Sequence, residues 1–109
     1  MWQQSERETA ELRETVECPP EACVYRNGDL MALVYREAEA NAPSRWHLYV
    51  SCHKRPPEMD EVLDAKHELL PTVDDYAVTP EPTLRHTVHI WELVEAPPRR
   101  QQRQRRWLV

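Results

Sequence analysis

The chain has very little glycine and no phenylalanine. Gly28 is the only glycine among 109 residues. Phosphate-binding loops, dinucleotide fingerprints and nucleophile elbows each need several backbone positions that are free of a side chain. The single glycine therefore excludes these three kinds of site.

Long apolar segments are missing as well. The longest apolar run, residues 30–35, has six residues, whereas a membrane span needs about 18. Met1 and Trp2 are followed by polar and charged side chains, so the apolar stretch of a secretion signal is not present at this end. We therefore expect no membrane contact and a cytoplasmic location, in the host cell if the protein is viral.

Cysteine is scarce and odd in number. Without a secretory context, Cys18, Cys23 and Cys52 are interpreted as reduced thiols. Together with His53 they have the donor types of a zinc site, but the Cys-x4-Cys spacing is loose and Cys52 and His53 point to opposite faces of a strand. We predict no metal site and no cofactor.

Charge is divided unevenly along the chain. Residues 1–98 carry nineteen acidic and nine basic side chains, a net charge of −10, whereas residues 99–109 carry five arginines and no acid, a net charge of +5. Such a division usually separates a folded body from an interaction tail. We expect a peripheral helix over 1–18, an α+β domain over 19–96 and an arginine-rich tail over 97–109.

Two segments predict helices. Residues 5–18 begin with Ser5 and Glu8 at the spacing of a capping box. Their apolar stripe is thin, so this helix docks on the body and does not nucleate it. Residues 58–70 have acids in the first turn and an apolar side at helical spacing, so this helix packs on a sheet. That side consists of Met59, Val62, Leu63, Lys66, Leu69 and Leu70.

The strands are predicted from turn residues and alternation. Asn27-Gly28 supplies two positive φ values and predicts a hairpin over 22–35 that pairs Val24 with Met31. Residues 45–53 and 83–94 alternate as strands, 73–78 is a weaker strand, and 79–82 is a turn. We expect an α+β fold with an antiparallel sheet of four or five strands, one packed helix, the peripheral helix and the basic tail.

Polar side chains share one face of the third and last strands. If these strands are neighbours, the following residues converge: His47, Ser51, Arg85, His89 and Trp91. Two imidazoles with a guanidinium and a hydroxyl suit an anion or general acid–base chemistry. The alternative is a half-solvated sheet face with ordinary polar pairs, so no catalytic residue is assigned. His86, among apolar neighbours, is predicted to be a hydrogen-bonded core histidine.

The basic tail is the second candidate for recognition. Its predicted contact residues are Arg99, Arg100, Arg103, Arg105, Arg106, Trp107 and Leu108. The guanidinium groups could bind phosphates, and the indole could stack on a base or fill a groove of a partner. A solvated tail and docking on the acidic body are the alternatives, although the apolar residues at 107–109 gain free energy only when they are covered.

Residues 45–92 contain three short motifs in a fixed order. They are Trp46-His47-Leu48-Tyr49-Val50-Ser51, then Pro57 with Asp60, Glu61, Val62, Ala65 and Lys66, then Val88-His89-Ile90-Trp91. This segment resembles an uncharacterised family of small phage and prophage proteins. The resemblance implies a viral or mobile-element origin and a strand–helix–strand core, and it implies no reaction.

The function expected from these observations is recognition. We expect a small non-enzymatic binding module of phage or mobile-element origin that acts through a host or viral protein partner. The alternative is an accessory protein that binds nucleic acid through the tail. A third hypothesis is a small hydrolase or metal protein centred on His47 and His89. The sequence does not determine the partner or the oligomeric state.

Overall fold

A computed structural model describes residues 1–15, 21–39 and 42–94. Across these ranges the elements are β1 (Gln3–Gln4), α1 (Glu6–Thr15), β2 (Cys23–Asn27), β3 (Leu30–Glu39), β4 (Ala42–Cys52), α2 (Met59–Leu69), β5 (Tyr76–Pro80) and β6 (Thr87–Glu92). The described strands form one antiparallel sheet in the order β1-β2-β3-β4-β6-β5. The α+β fold is therefore confirmed, and the two-residue β1 makes the described sheet six-stranded where four or five strands were predicted.

Helix α1 is attached to β2, the neighbour of the edge strand β1, by side chains from both elements. The backbone N–H of Val24 donates to Thr9 Oγ1 at 2.9 Å in a buried position. The Glu8 carboxylate accepts two hydrogen bonds from Arg26, at 2.8 and 2.7 Å. The predicted capping box is only partly formed, because Ser5 Oγ accepts from the Glu8 N–H at 3.4 Å while the Glu8 carboxylate is paired with Arg26. Residues 16–18 of the predicted helix lie outside the described residues.

The pairing of Glu8 with Arg26 makes a small, pH-dependent contribution to stability. The Arg26 guanidinium lowers the pKa of Glu8 from 4.5 to about 2. A lowered carboxyl pKa stabilises the fold above pH 4.5, and this contribution is lost as the pH falls towards 2. We expect Arg26→Gln to lower the free energy of unfolding by less than about 1 kcal/mol at pH 7, because the pair is partly exposed. Urea titrations at pH 7 and pH 3 check this.

The control for that measurement is Arg7→Gln. Arg7 lies 3.9 Å from Glu11 and both side chains are largely exposed. This variant should leave the free energy of unfolding unchanged within error at both values of pH. An equal loss of stability in the two variants, or a loss in Arg26→Gln that is as large at pH 3 as at pH 7, would contradict the assignment.

The first hairpin forms with a register that differs from the predicted one. The turn lies on Gly28 and Asp29, so Asn27 pairs with Leu30. Gly28 has a φ of +63°, and Asp29 is not among the residues with positive φ, which is the pattern of a type II′ turn and not of the predicted type I′ turn. Val24 consequently pairs with Leu33. Because the partner moves by two residues, every side chain stays on its predicted face.

The last part of the sheet differs more from the prediction. Pro80 was assigned to a turn, but it ends the edge strand β5, where a residue without an N–H is tolerated. The turn follows at 82–86, and β6 begins only at Thr87. His86 has a φ of +55°, so the extended backbone predicted from residue 83 onwards is interrupted there.

The core lies between α2 and one face of the sheet. The helix predicted over 58–70 is confirmed by α2, and the backbone N–H of Glu58 donates to Glu61 Oε1 at 2.8 Å at its start. The buried cluster contains Trp2, Leu30, Ala32, Val34, Leu48, Val50, Cys52, Val62, Ala65, Leu70, Val73 and Ile90. One charged side chain of this helix, Lys66, is buried, and its ammonium lies 4.9 Å from the centre of the Tyr76 ring. The opposite face of the sheet therefore remains available for other contacts.

Candidate functional site

The sheet face opposite α2 is called the open face. It carries Met31, Leu33, Tyr35, Glu37, His47, Tyr49, Ser51, Thr87, His89 and Trp91, as the cross-strand register requires. Of the described helices, α2 packs on the other face, and α1 packs against β2 at the margin of the open face, where Val24 pairs with Leu33 and is buried. The central strands β3, β4 and β6 thus present half-buried aromatic and polar side chains on this face.

Five rings form a continuous ladder across the open face. Tyr35 pairs with His47 across β3 and β4, with ring centroids 4.9 Å apart and planes at 9°. Tyr49 pairs with His89 across β4 and β6, at 4.2 Å and 1°. Trp91 continues the row at 4.9 Å from His89, tilted by 36°. Stacking of this kind holds the imidazoles in defined orientations.

A carboxylate and two imidazoles form a hydrogen-bonded chain through this ladder. Glu37 Oε1 lies 2.9 Å from His47 Nε2, and His47 Nδ1 lies 2.9 Å from His89 Nε2. A carboxylate only accepts, so His47 carries a hydrogen on Nε2. When His47 is neutral, its Nδ1 is an acceptor and His89 Nε2 donates to it. The carboxylate therefore determines the tautomer of both rings.

The two imidazoles meet edge to edge. Their planes differ by 14° and their centroids are 5.1 Å apart. The distance between the ring centroids is longer than the 2.9 Å N···N distance by about the sum of the two ring radii, each measured from the centroid to a ring atom. Both nitrogens therefore lie close to the line that joins the two centroids. That geometry fits an N–H···N hydrogen bond. A metal ion would instead need both lone pairs to converge on one point.

The surroundings of His89 disfavour its charged form. Burial lowers the pKa of His89, the neighbouring His47 lowers it further, and Glu81 raises it. Only one hydrogen can lie between the two facing nitrogens. If both rings were imidazolium ions, each facing nitrogen would carry a hydrogen and the hydrogen bond between them would be lost. Burial and a hydrogen bond with Tyr49 raise the pKa of Tyr35, which keeps that phenol neutral.

A groove of about 900 Å³ adjoins the ladder on the open face. Its floor is formed by side chains of β3, β4 and β6, and the 81–85 segment forms one wall. The lining residues used below are Met31, Leu33, Tyr35, Tyr49, Ser51 and Arg85. The groove is therefore a mainly apolar depression, and two rings of the ladder, Tyr35 and Tyr49, form part of its lining.

The structure brings together three of the five predicted polar-face residues. His47, His89 and Trp91 are neighbours in the ladder. Ser51 lies on the same face, opposite Thr87, and lines the groove. Arg85 was placed on the strand with the histidines, and this is wrong, because the residue belongs to the 82–86 turn.

The arrangement favours acid–base chemistry over anion binding. Arg85 lines the groove and has no contact with the histidine pair in the described structure, while Glu37 supplies a negative charge at 2.9 Å from His47. Positive charge on the pair, like that of Arg45 at 3.9 Å, is therefore directed towards the Glu37 carboxylate, which would repel a phosphate. The predicted anion site therefore lacks the guanidinium of Arg85, whereas the hydrogen-bonded chain of Glu37, His47 and His89 is present.

His86 differs from its prediction as a hydrogen-bonded core histidine. Its backbone carbonyl accepts from the Cys52 N–H at 3.2 Å. Its ring atom Nδ1 is buried and has no hydrogen-bond partner in the described part of the chain. The left-handed backbone at this residue places it in the turn and not on the core face of a strand.

The sequence interpretation missed Glu37, Tyr35 and Tyr49 as members of the site. The predicted hairpin ends at residue 35 and the next predicted strand begins at residue 45, whereas β3 continues to Glu39 and β4 begins at Ala42. The available signal was the alternation of Leu33, Tyr35 and Glu37, which continues the same face of the strand. The register shift between Glu37 and Glu39 comes directly after this residue.

The predicted contact residues of the tail, 99–108, and Cys18 lie outside the described residues. Of the other cysteines, Cys23 is a half-buried free thiol and Cys52 is a buried one. Neither of the described helices has the length and apolar composition needed to cross a membrane. No group of three or more His, Cys, Asp or Glu side chains within 1–15, 21–39 and 42–94 has an arrangement that could hold a metal ion.

Comparisons with known proteins add no relative. No protein-family model matches the chain, and neither a curated protein nor a solved structure matches it significantly. The functional argument therefore depends on the geometry of the open face and on the sequence.

Proposed function

We propose that this protein is a small binding module, of phage or mobile-element origin, that recognises a host or viral protein partner through its open face. The observation that carries the proposal is the ladder of five aromatic rings beside an apolar groove, on the sheet face opposite α2. Tyrosine, tryptophan and methionine are enriched at protein interfaces, and the two aromatic residues bury much area with few rotatable bonds.

The order of the rings supports recognition further. Stacking and the hydrogen bond between His47 and His89 already restrict these side chains in the free protein. Binding to restricted side chains loses less conformational entropy than binding to mobile ones. A rigid aromatic ladder is therefore a suitable centre for a contact, and the groove can accept an apolar side chain of the partner.

The tail remains a second contact element predicted from the sequence alone. Its five arginines and Trp107 would bind next to a surface with complementary charge. The nucleic-acid alternative rests mainly on this segment, since Arg45 beside the ladder lies 3.9 Å from the Glu37 carboxylate and the adjoining groove is mainly apolar. The open face is therefore assigned to protein recognition.

Affinity purification from the cells in which the protein is naturally made tests the proposal. The decisive variant is Leu33→Glu, which places a charge on the groove floor. If the open face is the contact, capture of the partner should weaken at least about 30-fold, the equivalent of about 2 kcal/mol for a central interface position. Titration of the purified partner by isothermal calorimetry then measures the change.

The matched control is Met59→Glu. Met59 is exposed on α2, on the other side of the sheet, so this variant should bind the partner as the parent chain does. A chain ending at residue 96 and a nuclease-treated sample complete the comparison. Binding that survives Leu33→Glu but disappears on truncation or nuclease treatment would contradict recognition through the open face.

A further inference from the structure

Three side chains of the open face have the spatial relations of a nucleophile, a base and a group that orients the base. In such sites the nucleophile is hydrogen-bonded to the base, and a third group fixes the tautomer of the base. Here the successive contacts are His89 Nε2 to His47 Nδ1 and His47 Nε2 to Glu37 Oε1, each 2.9 Å long. Histidine is itself a group that forms covalent intermediates in enzymes.

The reactive atom in this arrangement is Nδ1 of His89. With Glu37 ionised and both rings neutral, each ring carries its hydrogen on Nε2, so Nδ1 of His89 holds a free lone pair. This atom has no hydrogen-bond partner in the described part of the chain, and it is not among the buried unpartnered atoms. The lone pair is therefore open to a ligand, between the rings of Tyr49 and Trp91.

We propose that His89 is a nucleophilic catalytic residue that takes an acyl group from an activated ester, with His47 as its base and Glu37 as the positioning residue. This inference goes beyond partner binding and does not depend on it. It also departs from the non-enzymatic module expected from the sequence, because it assigns a reaction to the same face.

The acylation step balances within the three side chains and the ester. His89 Nδ1 attacks the carbonyl carbon, and an N–C bond forms. The acyl C–O bond breaks and releases the leaving group as an oxyanion, which is a phenolate when the substrate is an aryl ester. The proton on His89 Nε2 moves to His47 Nδ1 along the 2.9 Å hydrogen bond. His47 becomes an imidazolium, which is stabilised by the Glu37 carboxylate on its other nitrogen. His89 is left as a neutral acylimidazole.

Water completes the cycle. It attacks the acyl carbon, its hydroxyl stays with the carboxylic acid, and the N–C bond breaks. His47 returns its proton to Nε2 of His89, and the remaining proton of the water neutralises the phenolate. The net reaction is hydrolysis of the ester to an acid and a phenol, with the side chains restored.

The surroundings indicate the class of ester. Tyr49 stacks on His89 at 4.2 Å and Trp91 is tilted against it at 4.9 Å, so a flat aromatic group fits beside the nucleophile. The carboxylates of Glu37 and Glu81 act on the histidines, which disfavours anionic substrates such as phosphate esters. A neutral aryl ester meets both conditions, and its leaving group departs without a proton.

The reaction needs a neutral histidine pair, so its rate should rise with pH and reach a plateau. The groups that face the pair are Glu37 and Tyr35 from β3, Arg45 and Tyr49 from β4, and Glu81 from the segment after β5. Burial and His47 lower the pKa of His89, and Glu81 opposes this. We expect the midpoint of the rate profile to lie below the ordinary imidazole value of about 6.5.

Hydrolysis of p-nitrophenyl acetate by the full chain tests the proposal between pH 5 and 8. His89→Gln should remove the protein-catalysed release of nitrophenolate. His47→Gln should slow it about 10²-fold, the usual contribution of a positioned base. Glu37→Gln should slow it as well and lower the midpoint of the pH profile, whereas Glu37→Asp should restore part of the rate. Mass spectrometry after acid quenching should find the acetyl group on His89.

The chain supplies its own control. His67 is an exposed histidine of α2, on the other side of the sheet from the ladder, so His67→Gln should leave the rate unchanged. Thermal unfolding shows whether each variant folds. If His89→Gln does not fold, the site of acetylation in the parent chain still shows whether His89 is the nucleophile. Acetylation mainly on His53 or His67, or a rate unaffected by His47→Gln, would overturn the proposal.

Discussion

Leu48→Ala is expected to lower the free energy of unfolding by about 2–5 kcal/mol, the range for a leucine removed from a packed core. Leu48 has no exposed surface and lies at the centre of β4, where it pairs with Val34 and Ile90 and faces α2. Alanine leaves a cavity that its neighbours on two strands fill only in part. For a domain of this size the melting temperature should fall by roughly 4–8 °C per kcal/mol.

The matched control is Leu84→Ala. The sequence predicts that Leu48 and Leu84 each lie in a strand, and that Leu84 shares a face of its strand with Val88 and Ile90. In the structure Leu84 lies in the 82–86 turn with 52% of its surface exposed. We expect this variant to change the free energy of unfolding by less than about 0.5 kcal/mol. Urea denaturation of the two variants checks the difference, and similar losses in both would contradict the position of the turn.

Trp2→Ala is expected to destabilise the protein by about 3–5 kcal/mol. Trp2 is only 6% exposed and belongs to the core cluster under α2, and its backbone N–H donates to Glu68 of that helix at 3.2 Å. Its side chain therefore anchors the short strand β1 to the body of the domain. Loss of this anchor should also increase amide exchange in β1, which hydrogen-exchange mass spectrometry measures.

Trp2→Phe separates packing from hydrogen bonding. The indole Nε1 of Trp2 is buried without a partner among the described residues. Such a donor is unfavourable by about 1–3 kcal/mol, so its removal should offset part of the lost apolar surface. We expect Trp2→Phe to be at least about 2 kcal/mol more stable than Trp2→Ala in urea denaturation. Equal stabilities of the two variants would show that the Trp2 ring does not pack in the core.

Local pattern was sufficient for most of the fold. The alternation over 45–53 predicted the faces of β4, and helical spacing over 58–70 predicted α2 and part of its buried side, although Met59 of that predicted side is exposed. The faces of the first hairpin were also predicted, although Gly28 and Asp29 occupy the turn. Alternation is preserved because the change of register moves each partner by two residues.

Local pattern failed where contacts outside the segment decide the structure. Prolines at 80 and 82 are typical of a turn, yet Pro80 belongs to an edge strand that pairs with Val88. Trp2 lies in a short polar stretch, and only the packing of α2 over the sheet explains its burial. The predicted strands do not include the polar residues after Arg36, because their extended conformation is stabilised by pairing with β4 and not by local pattern.

The candidate site shows the same division. Alternation placed His47 on one face of its strand and His89 on one face of another, because side chains alternate by local geometry alone. That β4 and β6 are neighbours, that the two rings meet at 2.9 Å, and that Glu37 reaches His47 from β3 depend on strand order and register. These are set by which surfaces pack together across the whole chain. The sequence by itself therefore determined the side chains that face away from the core, and only the tertiary structure decided which of them form one hydrogen-bonded chain.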